Sequence, residues 1–326
     1  MGKLRHARRF RMDFRQYFDG VNDDGSVRVR IVADPDRYER ITASGRPHLR
    51  DRFTNALFDE EKFFSQLVSQ LKTMPLRYEP AYIDDPYEYV LTRIPAIASM
   101  LRGEGQATGL ASASYVNLLA SLGERRAFAI VTLDLHNRLD YGTIDPEQLQ
   151  AINATVSHEI GLVAAMHRGN LWQASASALS LFFPAPNLIT KTDLALGFAA
   201  AARVIVFAIN TQLKEQQLPS LEYGFGVESG DARAQLMGLD ELHTQIELVG
   251  LVVASAEEIA RHATPSCIWV GPRAADACHV SWRKLMRDID PQPPIALKDD
   301  FGKLGVIREL PPDAHGTGPI LQDGDR

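Results

Sequence analysis

Asp134, His136 and Asp140 fall within one short stretch and are of the types that hold a divalent cation or move a proton. Hard cations such as Mg2+ take carboxylate oxygens, and borderline ones accept imidazole nitrogen as well. Asp134 follows the apolar run Ala127–Leu133. It therefore has two readings: a metal ligand, or a hydrogen-bonding group at a strand end. His136 and Asp140 share a face with it only if the strand continues. The sequence predicts a loop there instead, with His136 a polar loop residue. His158 and His167 read as surface or helix-end histidines, and Glu257-Glu258 as a solvated helix face with Arg261 one turn on. Trp172 and the pair Phe182-Phe183 read as core rather than as a base-stacking platform.

The elements that must position these groups are legible from periodicity. Val27–Val32 alternates like a strand with one wet face. Residues 50–75 place Phe53, Leu57, Phe63, Phe64, Leu67 and Leu71 on one broad helical face. Tyr87–Leu101 is a second helix, and an apolar segment runs from Ala111 to Leu122. From Arg126 the texture changes. Ala127–Leu133 is rich in strand formers and suits a buried central strand. Asp145-Pro146 opens a helix to Met166. Two short strand-like runs follow, at 170–174 and 178–183, then a long helix over 195–213 and a strand over 221–227 that runs into Ser229-Gly230. Further elements are a strand at 245–249, a helix at 252–262, a strand at 267–270 and a closing helix. The resulting order, βαββαβ with additions, is that of a ferredoxin-like split βαβ arrangement. From Pro311 the composition predicts a loose tail.

Composition narrows the function classes. The sequence of 326 residues is 45% hydrophobic and 23% charged, as expected of a soluble globular protein, and its net charge of −6 gives no global reason to bind nucleic acid. Lys3, Arg5, Arg8, Arg9, Arg11 and Arg15 form a local basic arm that reads as a solvated terminus. The two cysteines, Cys267 and Cys278, make no disulfide framework and suit a reducing cytosol. The first residues lack an apolar segment of signal-peptide type. The apolar run Leu194–Ile209 is interrupted by Arg203 and falls short of a membrane span.

Three stretches together resemble the class III adenylyl/guanylyl (nucleotidyl) cyclase catalytic domain. The first is Gly123-Glu124-Arg125-Arg126, an apolar strand, then Leu133-Asp134-Leu135. The second runs from Ala199-Ala200-Ala201-Ala202-Arg203 to Gly224-Phe225-Gly226-Val227-Glu228-Ser229-Gly230 and is similar to the family's long helix and G-I-G-I-H-T-G strand. The third is Ile246–Gly250 through Glu257-Glu258-Ile259-Ala260, followed by Pro265-Ser266-Cys267-Ile268-Trp269-Val270. The resemblance implies an α/β (α+β) fold: a ferredoxin-like βαββαβ cyclase core with extra C-terminal α/β elements and a mainly helical N-terminal region. It divides the chain into an N-terminal region at 1–120, a cyclase homology domain at 121–290 and a loop-rich extension at 291–326.

A cyclase uses two metal ions, one to activate the attacking ribose hydroxyl and one to hold the leaving phosphates. The resemblance assigns the first metal-ligating carboxylate to Asp134 and places nucleotide contacts at Leu135, His136 and Asn137. The other expected positions have changed. The second metal carboxylate reads Ser177 within Ala176-Ser177-Ala178, and the acidic group of the V-G-D turn reads Leu251. The ribose-orienting asparagine and the arginine that neutralises phosphate charge read Ala254 and Glu258. A glutamate there has the wrong sign beside phosphates.

The expectation is a degenerate cyclase-like protein: a dimerising nucleotide-binding or regulatory module in cyclic-nucleotide signalling, with a weakened Mg2+ or Mn2+ site. Its expected partners are a second copy of itself, a nucleoside triphosphate and a regulatory protein, with no membrane or nucleic acid, in the cytoplasm. Two alternatives stand beside it. One is a divergent active cyclase, acting on a pyrimidine triphosphate among other candidates. The other is a scaffold whose N-terminal third carries the function.

Overall fold

The computed structural model describes residues 13–22, 27–65, 83, 85–104, 118, 122–136, 144–184, 188–238, 245–291, 294–297 and 304–312. Its centre is an eight-stranded sheet built on β6 (Arg125–Leu135). This strand pairs antiparallel with β8 (Ala178–Phe183) on one side and with β9 (Tyr223–Met237) on the other. The short β7 (Asn170–Ala174) borders β8, with a bulge between Leu171 and Gln173. Beyond β9 lies β11 (Ile268–Val270), parallel to it, while β10 (Gln245–Val249) forms a hairpin with the far end of β9.

With α2 (Pro146–Met166) and α3 (Leu188–Glu215), the chain order β6–α2–β7–β8–α3–β9 is the expected βαββαβ core. The strand expected over 221–227 is longer than its apolar run suggested, because β9 continues through Glu228–Met237.

Alternation along β6 sorts its side chains into two cores. Ala129, Val131, Leu133 and Leu135 join the helical layer of α1 (Pro86–Leu101), α2 and α3. Phe128 and Ile130 face the opposite side, where α4 (Leu251–His262) covers the sheet with Val252, Val253 and Ala256. The α2 helix starts where the sequence placed it, and α1 starts one residue earlier than expected, at Pro86. Asp85 and Asp145 cap them by accepting backbone N–H groups, ahead of Pro86 and Pro146. A fork of hydrogen bonds at 2.9 and 2.7 Å from Arg93 of α1 to the fully buried Glu159 of α2 ties these helices together.

By length and composition α3 could cross a membrane, but most of that stretch is buried between the sheet and its neighbouring helices. Arg203, the charge that interrupts the apolar run, donates to the carbonyls of Leu310, Pro311 and Pro312. This holds β13 (Arg308–Leu310) against β11, and β12 (Arg287–Asp288) extends the sheet further. The single closing helix of the sequence reading is two short ones, α5 (Pro272–Ala277) and α6 (Val280–Leu285). The tail from 313 and nearly all of the apolar segment 111–122 lie outside the described residues.

The N-terminal region corrects one expectation. Instead of a helix over 50–75, β4 (Arg46–Asp51) pairs with β3 (Tyr38–Ala43) on one side and β5 (Leu57–Asp59) on the other, and helix begins only at residue 60. A hairpin of β1 (Phe14–Val21) and β2 (Val27–Ala33) precedes them, so the region is mainly strand up to residue 59. The reason is local. Asp51 turns the chain by accepting from the N–H groups of Phe53 and Thr54, which ends β4 where a helix would have to run through. Phe63, on the expected helical face, packs instead on Tyr38 of β3, where it meets Phe58 of β5.

This β-module docks on the core through Arg37. The guanidinium bonds Asp51 at 2.9 Å and Asp13 at 3.1 Å, and donates to the carbonyls of Asp276 and Cys278 in the α5 region. Burial alone would lower its pKa, but Tyr38, Asp51 and Asp13 outweigh this and raise it, so the group stays charged. At the module's edge, Lys284 pairs with Asp36 at 2.7 Å and Arg283 lies over the Phe53 ring.

Candidate functional site

Asp134 is the penultimate residue of β6, opposite Ala178 on β8 and Gly224 on β9. It lies on the α4 side of the sheet, the side of Phe128 and Ile130. The backbone around it is firmly held. Leu135 N–H donates to the Ser177 carbonyl at 2.8 Å and His136 N–H to the Glu222 carbonyl at 2.9 Å. The strand ends at Leu135, and His136 just beyond it is held by the bond to Glu222 so that its Nδ1 lies 3.1 Å from Asp134 Oδ1. His136 is the loop residue expected, yet only 16% of its side chain is exposed, against 26% for Asp134. Leu135 is buried in the helical-layer core, facing away from Asp134, so its expected nucleotide contact does not arise through its side chain. Asn137 and Asp140 lie outside the described residues.

Ser177 sits in the exposed turn between β7 and β8, next to Asp134 across the backbone bond from Leu135. Its hydroxyl lies 3.3 Å from that of Ser175, which also accepts the N–H groups of Ser177 and Ala178. The turn is therefore stapled by a serine, and no carboxylate stands at the second metal position.

These residues do not fit a two-metal centre. The one carboxylate is already engaged by an imidazole, and the adjacent turn offers a neutral hydroxyl that lies against the hydroxyl of Ser175. Among the described residues, no group of three or more His, Cys, Asp or Glu side chains is placed to hold a metal ion.

The α4 positions carry no replacement chemistry. Leu251 opens the helix and is largely exposed, and Ala254 is also exposed. Glu258 pairs with Arg261 and with His262 Nε2, the latter at 3.1 Å. The basic candidate on this helix is thus spent on the glutamate that stands where an arginine was expected. Burial raises the pKa of Glu257, with Glu247 on β10 adding to the effect. This surface has an acidic bias that suits phosphates poorly.

Other polar groups at the core have structural partners that the sequence reading did not anticipate. Glu228, buried on β9, accepts from the N–H groups of Ser229 and Ala274, the second bond linking the strand to α5. Its signal was available: a carboxylate between Val227 and Ser229 inside a buried strand must find donors. Trp172 packs on the α4-side core and donates to the Ile246 carbonyl, and His167 is buried with Nδ1 at 2.9 Å from the Val163 carbonyl.

No protein-family model matches the sequence, and no curated protein does. Solved structures do. A guanylyl cyclase, Cya2, superposes with a TM-score of 0.50 at 20% identity, over 58% of this chain and 93% of that one. The chain has the fold of a class III nucleotidyl cyclase catalytic domain. Other matches are the adenylyl cyclase CyaB from P. aeruginosa and a class III adenylyl cyclase-like ATP-binding protein from Pseudomonas aeruginosa. CyaB has a TM-score of 0.48 at 14% identity, over 57% of this chain and 94% of that one. The ATP-binding protein has a TM-score of 0.45 at 13% identity, over 50% of this chain and 37% of that one.

Proposed function

We propose that this cyclase-like protein does not turn over nucleotide and serves as a dimerising nucleotide-binding or regulatory module in cyclic-nucleotide signalling in the cytoplasm. The observation that carries the reading is the state of Asp134. Its carboxylate is engaged by His136, and the neighbouring metal position holds Ser177. Phosphoryl transfer needs its charge neutralised at the reacting centre, and here the α4 basic group is paired with Glu258 instead.

Self-association is supported by the β9–β10 hairpin, which exposes Leu236, Met237 and Val249, followed by exposed Leu251 at the start of α4. In this reading the cyclase-like module follows the docked N-terminal β-module and is followed by the C-terminal extension, a division near residues 120 and 290. A pure scaffold role is the second reading, favoured by the extensive anchoring of the β-module through Arg37.

Thermal unfolding in the presence of each nucleoside triphosphate, with and without Mn2+, tests the metal half of this reading. A ligand at one hundred times its Kd stabilises the folded state by about 2.7 kcal/mol, a readily measured rise in Tm. The expected result is that Mn2+ adds nothing to whatever shift the nucleotide gives. A triphosphate-dependent rise that requires Mn2+ would contradict it.

A further inference from the structure

We infer that His136 is a built-in occupant of the Asp134 site: it holds the carboxylate and keeps a divalent cation from binding there. The inference deepens the reading of Asp134 given above and rests on it. Its new content is that the loss of Ser177's counterpart is not the whole reason the site lacks a metal. A second device, internal to the chain, closes it.

The geometry is that of a wedge. The His136 backbone is pinned to Glu222 and its ring lies against β9 and the end of α4. The space it uses exists because residue 224 is glycine. A Cβ there would stand 2.6 Å from His136 Nε2, 2.8 Å from the Ala263 methyl and 2.9 Å from the Ala260 carbonyl oxygen. The imidazole and the end of α4 thus crowd the same glycine of β9, and the Nδ1 of that ring meets Asp134 at 3.1 Å.

The tautomer decides between a latch and a ligand. Among the described residues, Nε2 is buried with no hydrogen-bond partner. Were Nδ1 to offer its lone pair to a metal, the proton of the neutral ring would sit on Nε2 as a buried, unpaired N–H, which costs about 1–3 kcal/mol. With the proton on Nδ1, the ring donates to Asp134 and leaves only a lone pair against alanine and glycine. Unpaired buried acceptors are tolerated more often than unpaired buried N–H groups. The donation needs no change of charge on either partner. A cation that takes Oδ1 of Asp134, alone or with Oδ2, must therefore displace a charge-assisted hydrogen bond as well as shed its own water.

The test restores the missing carboxylate and then removes the latch. Free Mn2+ is titrated by its electron paramagnetic resonance signal against the full-length native chain, Ser177→Asp, and Ser177→Asp combined with His136→Leu. The leucine fills the wedge but has no donor. Ser177→Asp combined with His136→Ala serves as a second version should the leucine disturb folding, which circular dichroism would report.

The expected result is at least tenfold tighter Mn2+ binding when either latch-free substitution is added to Ser177→Asp, and loss of that gain on adding Asp134→Asn. Equal binding with and without the latch would overturn the inference. So would weaker binding without it, since that would make His136 a ligand. The readout does not depend on turnover, so cyclase activity in the native chain would defeat the proposed function without deciding the role of His136.

Discussion

Gly226→Ala is expected to destabilise the protein by about 3 kcal/mol, at the upper end of what overpacking a core usually costs. Gly226 lies on β9 directly beneath α4, where the helix backbone rather than a side chain is the neighbour. A Cβ at this position would stand 2.1 Å from the Ala256 carbonyl oxygen and 2.5 Å from the Ala260 nitrogen. Neither atom belongs to a flexible chain end that could swing aside, so the whole helix must lift. Lifting α4 loosens Val252, Val253 and Ala256 from Phe128 and Ile130, which adds lost burial to the clash. The measurement is the denaturant midpoint at unchanged slope. A shift below about 1 kcal/mol would mean that α4 does not sit on β9 as described.

Arg37→Met is expected to cost about 3–5 kcal/mol, the usual consequence of removing one member of a buried ionic group. The substitution leaves Asp13 and Asp51, exposed by only 1% and 3%, without the buried cation that they share. It also abandons the carbonyls of Asp276 and Cys278, through which the β-module grips the core. Two further substitutions separate charge from packing. With Asp13→Asn and Asp51→Asn added, the stranded carboxylates disappear and a substantial part of the loss should return. If the triple variant is no more stable than Arg37→Met alone, the damage lies in the lost carbonyl contacts rather than in uncompensated charge.

The parts of the fold that were legible in the sequence share a physical trait: their signal is local. Ala127–Leu133 reads as a central strand because a strand covered on both faces is apolar without alternation. Asp145-Pro146 announces a helix start because the cap and the preset φ act within one turn. The reading failed where distant segments share one cluster. Leu57 and Phe63 lie on the periodic face expected for a helix over 50–75, yet they belong to a strand and a helix, and Phe63 packs on Tyr38 of β3. The far end of β9 was missed for a related reason. Its partner there is β10, so its pattern follows an arm rather than the central sheet.

The site divides in the same way. Asp134 stood out as a carboxylate ending an apolar strand, and Ser177 could be placed from the hairpin that follows. The role of His136 was not visible, because it depends on Gly224, Ala260 and Ala263, all remote in sequence. Nothing around His136 separates a wedged imidazole from a polar loop residue until β9 and α4 are in place. The pairing of Arg261 with Glu258 was the more accessible of the two findings, since residues three apart on a helix meet.

The most direct test of the central claim, a cyclase fold without cyclase chemistry, is a turnover measurement on the purified full-length chain. ATP, GTP, CTP and UTP are each supplied with excess Mn2+, and cyclic nucleotide is quantified by mass spectrometry after long incubation. The account predicts no product above that of a protein-free control for any of the four. A cyclic product that the native chain makes and Asp134→Ala does not would contradict it.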